Sequence, residues 1–394
     1  MHNTTTEKLF SFIESSPTAF HAIETMRCRL DTEGYQPLLE GSDWNLQAGG
    51  KYYVIRNGSS IIAFRIPTAE WKGFQIMASH SDSPMFKIKE NPEMEAEGHY
   101  VKLNVEKYGG MLCAPWFDRP LSVAGRLVVK EGNQIVTKLV DVKKDLVMIP
   151  SLAIHMNRDA NNGVKFNPQK DLLPLYGDET AKGTFMARIA ELAGVTENDI
   201  LAHDLYVYSR TPGSVWGASK EYISCGRLDD LQCAFSSLEG FLHAKDGESI
   251  PLHCVFDNEE VGSSSKQGAA STLLYDTLRI VEVSRNSDNC FCYFFAQVVF
   301  CIGFHLLQDH SGNLLWRIFF VIDGYFVIST HMSFNRRNCF ICVGYCLTFC
   351  RFTYQSFSCF CKCYNRWCCS CSFCISDNGW FSTFHNSYTA VCCS

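Results

Sequence analysis

Apolar residues recur at helical spacing near the start of the chain: Leu9, Phe10, Phe12 and Ile13, then Phe20, Ile23 and Met26. Ser16-Pro17 separates the two sets, which predicts two short helices rather than one. From residue 51 to 66 the spacing shortens to two, with Tyr53, Ile55, Ile61, Ala63, Phe64 and Ile66 as the apolar positions. Asn57-Gly58 lies between the two halves, the signature of a tight hairpin. Gly73–Ala78 (GFQIMA) is a mostly apolar run that suits a buried strand, and it stops at the polar cluster Ser79-His80-Ser81-Asp82-Ser83-Pro84.

From about Lys87 to Tyr208 strand-like pieces dominate: Tyr100–Val105, Leu121–Val129 and Ile135–Val142. Met156–Lys170 is a polar loop with little core potential. This stretch predicts a β-rich insertion within an α/β domain. The α/β pattern resumes at Gly217, where Leu228, Leu231, Phe235, Leu238 and Leu242 share one helical face. Ile250–Phe256 is a second short apolar strand, followed by Asp257-Asn258-Glu259-Glu260, a glycine turn at Gly262 and a further helix over Ala269–Val283. No internal repeat is present.

Composition changes the picture in one place. Over 394 residues the net charge is −6 and 19% of residues are charged, which gives no reason to expect nucleic acid or an anionic membrane as partner. The first residues, MHNTTTEKLF, lack an apolar segment behind a basic start, so a cytoplasmic protein is expected. Of the 21 cysteines, however, five lie before residue 289 and the other 16 from Cys290 onward. The later stretch also holds 17 of the 29 phenylalanines, with no proline and no glutamate. Five scattered cysteines suit a reduced compartment, whereas the tail alone would suit a disulfide scaffold. The crowded cysteines of Cys359–Cys374 show no zinc-finger spacing with paired histidines. Cys290–Leu307 is uncharged and just long enough to span a bilayer, though crowded with Phe and Cys. The abrupt change without a linker favours a tail foreign to the rest of the chain, such as an out-of-frame translation, that does not fold natively.

Three polar clusters carry candidate chemistry, and two directly follow predicted buried strands, where open α/β sheets bind ligands. In His80-Ser81-Asp82, imidazole can ligate zinc and the carboxylate can orient it; alone, such a pair is more often structural. In Arg227-Leu228-Asp229-Asp230, at a helix start, a carboxylate can cap the helix or bridge two metal ions. In Asp257-Asn258-Glu259-Glu260, adjacent glutamates point apart, so one can bind metal while the other faces water. The three in this order favour a hydrolase with two co-catalytic metals.

Seven segments resemble the M18 metallopeptidases, the aspartyl aminopeptidase family, in order and spacing. They are SSPTAFHAI (Ser15–Ile23), GGKYYVIRNGSSIIAF (Gly49–Phe64), ASHSDSP (Ala78–Pro84), WFDRPLSVAGR (Trp116–Arg126), SLAIHMNR (Ser151–Arg158), GRLDDL (Gly226–Leu231) and DNEEVGS (Asp257–Ser263). The resemblance covers about residues 7–284. It implies an α/β/α zinc-peptidase sandwich with an inserted β-rich dimerisation domain. It implies two zinc ions per active site, with His80 as a ligand of one, Asp229 as the bridge and Glu260 as a further ligand. Glu259 would be the general base, Asp82 would orient His80, and His155 would reach a partner subunit's site to contact substrate or stabilise the oxyanion. The substrate would be a peptide with an unblocked N-terminal Asp or Glu, and the assembly a homo-oligomer, from dimer to dodecamer.

The family also uses an Asp in a segment like S-x-D-x-A-H-A-x-H-P-N beyond the Glu-Glu pair, and a final His near its C-terminus. Neither pattern occurs here; Asp309, His310, Asp323, His331, Asp377 and His385 lie in unmatched surroundings. The expected division is therefore catalytic domain, first part, 1–86; inserted dimerisation domain 87–215; catalytic domain, second part and incomplete, 216–288; and aberrant tail 289–394. The expected function is a metalloaminopeptidase rendered inactive by missing ligands. The alternatives are a non-catalytic assembly partner of an intact paralogue, or a protein tethered to a membrane through 290–307.

Overall fold

A computed structural model describes residues 3–285 throughout and, beyond them, only the backbone of short strands between 296 and 363. The chain divides into two compact units, residues 1–303 and 304–394.

Two six-stranded sheets organise the first unit. The first contains β1 (Gln36–Leu38), β2 (Lys51–Arg56), β3 (Ser60–Arg65) and β4 (Gly73–His80). The second contains β5 (Met85–Ala96), β6 (Tyr100–Tyr108), β7 (Leu121–Glu131), β8 (Gln134–Asp141), β9 (Leu175–Asp178) and β10 (Ile200–Ser209). A small hairpin, β11 (Ser214–Trp216) with β12 (Tyr222–Ser224), follows. β13 (Ser249–Phe256) and β14 (Ala296–Phe300) return to the first sheet, whose order is β1-β2-β3-β13-β4-β14. Here β13 lies parallel to β4 and antiparallel to β3. The β2–β3 hairpin turns on Asn57 and Gly58, both at positive φ (56° and 70°), as a two-residue hairpin loop requires.

Period-two alternation gives the first sheet two apolar faces. Tyr53, Ile61, Ala63 and Val255 pack against α1 (Asn3–Glu14), α2 (Ala19–Thr32) and α4 (Leu228–His243). Their neighbours Val54, Ile62, Phe64 and Cys254 face the opposite way, toward Leu273 and Val281 of α5 (Leu273–Arg285). The result is a helix–sheet–helix sandwich, each face sealed by an amphipathic helical stripe. Arg65, buried at the end of β3, donates to the Phe241 and Ala244 carbonyls at 2.7 and 2.8 Å and closes the end of α4.

The second sheet is antiparallel in the order β8-β7-β10-β5-β6-β9. Its core, including Phe86, Val105, Leu127 and Leu205, is covered by Phe185 and Ile189 of α3 (Phe185–Ala193). A helix in this β-rich stretch is absent from the sequence expectation. It starts after Thr184 and ends at Gly194 in the left-handed region, φ 67°.

β14 extends the first sheet beyond Asp288, parallel to β4. It lies in the middle of the segment considered as a membrane tether, 290–307, and is a strand rather than a helix. The rest of that segment but for the short strand Leu307–Gln308, together with Asp309, His310, Asp323, His331, Asp377 and His385, lies outside the described residues. Among the described residues no helix is long and apolar enough to cross a membrane. In the second unit, Cys346–Thr353 and Ser356–Cys363 pair antiparallel.

Candidate metal centre

The parallel pairing of β4 with β13 sets His80 opposite Phe256, so the polar residues that follow each strand emerge side by side. This is the carboxyl end of adjacent parallel strands, where open α/β sheets place ligands. The start of α4 supplies the third segment. Arg227 occupies its N-cap position at φ 58°, and Asp229 has non-helical backbone (φ −86°, ψ 110°), so Asp229 is not the capping residue. The Asp229–Asp230 peptide is cis. Ser83 Oγ donates to the Asp229 carbonyl at 2.8 Å and ties this segment to the β4 exit.

Around the His80 ring the three segments meet. Nε2 stands 3.6 Å from Asp229 Oδ1, 3.7 Å from Asp230 Oδ2 and 3.9 Å from Glu259 Oε2. Nδ1 is engaged on its other side by the Asp82 carbonyl at 3.1 Å and Asp82 Oδ1 at 3.2 Å, leaving Nε2 to face the acidic groups. Asp82 is buried and central: its carboxylate also accepts the Glu259 and Glu260 main-chain N–H groups at 3.2 Å and the Tyr108 hydroxyl at 2.8 Å. Asp230 Oδ2 accepts the His80 main-chain N–H at 2.9 Å.

The charge balance is lopsided. Burial opposes a charged imidazole, yet contacts with Asp229 and Asp82 and the field of Asp230 outweigh it and raise His80 to about 11. Burial, then repulsion from Asp229 and Asp82, lifts Glu260 to about 7. Burial lifts Asp230 to about 6 although His80 opposes it. Asp257, beneath the turn, rises to about 6 through burial and then the neighbouring Asp82. Carboxylates lifted by burial and mutual repulsion mark a surplus of negative charge that a bound cation relieves, and His80 joins the donors by giving up its proton to that cation.

The donor set fits such an ion. Among the described residues, ligand atoms of His80, Asp229 and Asp230 all lie within 4.8 Å of one another. Donors about 2.0–2.2 Å from a tetrahedral zinc stand about 3.3–3.6 Å apart, close to the separations seen around Nε2. One imidazole with carboxylates is a mixed N/O set suited to zinc and to its divalent neighbours.

Of the residues singled out from the sequence, His80, Asp82, Asp229 and Glu259 come together. Glu260 shares the turn but holds its carboxylate against Gly109 rather than within reach of Nε2. His155 lies in an exposed loop with Leu152, Ile154 and Met156, away from the contacts that build the cluster. Sequence reasoning missed Asp230, which is buried beside His80 while Asp229 is half exposed. It also missed Tyr108, a contact across 150 residues to Asn258 that no local pattern announces.

Comparison with known proteins bears on the family and the fold. The family model described as "Aminopeptidase I zinc metalloprotease (M18)" matches residues 12–299, past the composition break at Cys290. The "Probable M18 family aminopeptidase 2" of Clostridium novyi (strain NT) is 44% identical over 289 residues, 71% of this chain and 67% of that relative. This chain thus spans about two thirds of its length. Among solved structures, Chaetomium thermophilum mApe1 aligns with a TM-score of 0.66 at 31% identity, covering 71% of this chain and 68% of that one. The S. cerevisiae mApe1 dodecamer aligns with a TM-score of 0.62 at 26% identity, covering 71% and 66%. A family match over most of the chain, a fold shared with solved structures of that family and a cluster of metal-ligating side chains at the strand ends place this chain in the M18 family of zinc aminopeptidases.

Proposed function

We propose that this chain carries the centre of a metal-dependent aminopeptidase acting on peptides with a free N-terminal Asp or Glu, in a form short of ligands. The observation that supports it most is the convergence of His80, Asp229, Asp230 and Glu259 within 4 Å at the ends of two parallel strands. His80, Asp229 and Asp230 would hold the first ion. Asp229, half exposed, would bridge to a second, with Glu260 as a ligand after a side-chain rotation. Zinc, when bound, supplies Lewis acidity at the scissile carbonyl and lowers the pKa of water.

The remaining work falls to the chain's own side chains. Glu259, half exposed at the mouth of the site, takes a proton from the attacking water and returns it to the leaving amine. Asp82 fixes the His80 ring through Nδ1. His155, on its exposed loop, would serve the site of a second copy across the interface of a homo-oligomer. Exposed Leu152, Ile154 and Met156 around it suit burial in such an interface. The preference for acidic residues rests on the family resemblance.

Residues 289–394 carry neither of the family's two last ligand segments, so the second ion would keep only Asp229 and Glu260, fewer than the about three protein ligands that catalytic zinc sites use. The purified chain, supplied with zinc, is expected to hydrolyse Asp- and Glu-arylamides barely above background, with any residual rate lost on Glu259→Gln. Robust turnover lost on Glu259→Gln would remove the ligand-shortage argument and keep the aminopeptidase one. Turnover indifferent to Glu259→Gln would remove the assigned base.

A further inference from the structure

Tyr108 ends β6 and pairs in register with Met85, as a member of the inserted sheet should. Its ring meets Tyr206 of β10 edge-on, with centroids 5.5 Å apart. Its hydroxyl, however, belongs to the other sheet's loops. It donates to Asp82 Oδ2 at 2.8 Å, just after β4, and accepts from Asn258 Nδ2 at 2.9 Å, just after β13. Asn258 sits at φ 64° immediately before Glu259 and is held on its far side by Gln267 Nε2 at 2.7 Å. The next residue, Gly109, has φ 81°, and a Cβ there would stand 2.7 Å from Glu260 Oε2 and 2.9 Å from Glu260 Cβ. The pair therefore touches the residue that orients His80, the residue that starts the Glu259-Glu260 turn, and Glu260 itself.

We infer that Tyr108 is a positioning residue for the metal centre, a clamp reaching from the inserted sheet that holds the His80-Asp82 and Asn258-Glu260 loops in register, with Gly109 leaving the room Glu260 occupies. This rests on the metal-centre reading for its purpose but not for its geometry. The chain of donors runs one way: Asn258 amide to Tyr108 hydroxyl to Asp82 carboxylate, whose other oxygen faces His80 Nδ1. Burial, then the Asp82 and Asp257 carboxylates, raise the Tyr108 phenol above its ordinary value, so the hydroxyl keeps its proton to donate. Removing that one oxygen takes the side-chain donor from Asp82 Oδ2, leaving it the Glu260 N–H alone, and leaves Asn258 Nδ2 without its acceptor, while the aromatic packing stays. Supporting partners of a metal-binding histidine change metal affinity by about 10–100-fold.

The test uses the full chain and Tyr108→Phe, each metal-free and titrated with Co(II) against a chromophoric chelator. The expected result is about 10-fold weaker Co(II) binding with an altered visible d–d spectrum. In the metal-free protein, amide exchange in the 257–262 turn should rise by about 10-fold while α2 is unchanged. A clamp with a merely structural part would leave the Co(II) spectrum as it was. Affinity, spectrum and turn exchange all within about twofold of the parent would overturn the inference. Should the parent chain take up no Co(II), the metal-centre reading falls, and the exchange measurement alone decides the clamp. Gly109→Ala is the second variant: it should weaken Co(II) binding and loosen the same turn by displacing Glu260. It decides the matter if Tyr108→Phe does not fold.

Discussion

Acid should destabilise this fold through a residue far from the metal centre, His253 in the middle of β13. The ring is fully buried, stacked on Phe241 with centroids 5.8 Å apart, and among the described residues neither ring nitrogen has a hydrogen-bond partner. Burial alone pushes its pKa down to about 3. Above pH about 6.5 neither the folded nor the unfolded chain carries a proton there, so no pH-dependent term exists. As pH falls below that value the unfolded chain binds a proton that the folded one refuses, and stability is lost until pH approaches 3. Between pH 7 and 4.5 the loss comes to about 2.5 kcal/mol. That figure barely depends on the folded value, since at pH 4.5 the folded ring stays neutral either way. His253→Leu keeps the volume close and should stay within about 1.5 kcal/mol of the parent at pH 7.5. Urea unfolding followed by tryptophan fluorescence at a series of pH values reads both. The parent should lose about 2.5 kcal/mol more than His253→Leu between pH 7 and 4.5. His21, lowered to about 4 mainly by burial, acts in the same direction but is common to both proteins and cancels. Parallel acid limbs would refute the reasoning.

Three further outcomes follow from the packing and the site. Arg65→Met strands the Phe241 and Ala244 carbonyls at the end of α4 and should cost about 2–4 kcal/mol, read as a lower urea midpoint at unchanged slope. Phe185→Ala opens a cavity where α3 seals the second sheet and should cost about 3–5 kcal/mol; an unchanged melting temperature would mean that α3 is not part of that core. His80→Ala should abolish the Co(II) d–d band while His155→Ala leaves it intact, and loss of the band in both would contradict the placement of His155 away from the cluster.

Much of this architecture is legible in the sequence where periodicity is local. The α1–α2 break at Ser16-Pro17, the Asn57-Gly58 hairpin and the strands ending at His80 and Phe256 follow from spacing and turn chemistry alone. α3 was within reach, since Phe185, Ile189 and Ala190 share a helical face between Thr184 and Gly194. At nine residues, among strands on every side, its pattern is too short to outweigh its surroundings. The choice between Asp229 and Asp230 could not be made from their order. It depends on the non-helical backbone at the start of α4, which buries one carboxylate and exposes the other. The insertion of β13 between β3 and β4, which sets His80 opposite Phe256, is a pairing across more than 170 residues. Local spacing carries no information about it. β14 is hidden for a different reason: it falls inside a Cys- and Phe-rich stretch whose composition looks foreign to the enzyme, yet the family match runs through it to residue 299.

Among the described residues the chain passes between the two sheets twice, at Ser81–Pro84 between β4 and β5, and over residues 210–227 between β10 and α4. The first passage holds Asp82, and the second delivers Arg227 and the Asp229-Asp230 pair. Every mechanical load transmitted through the backbone from one sheet to the other thus crosses the cluster. A tilt of the inserted sheet becomes a change in donor spacing with no relay of side chains needed. In the other direction, an ion bound to His80, Asp229 and Asp230 staples one passage to the other, and would make the two sheets harder to pull apart than the interface between them alone could.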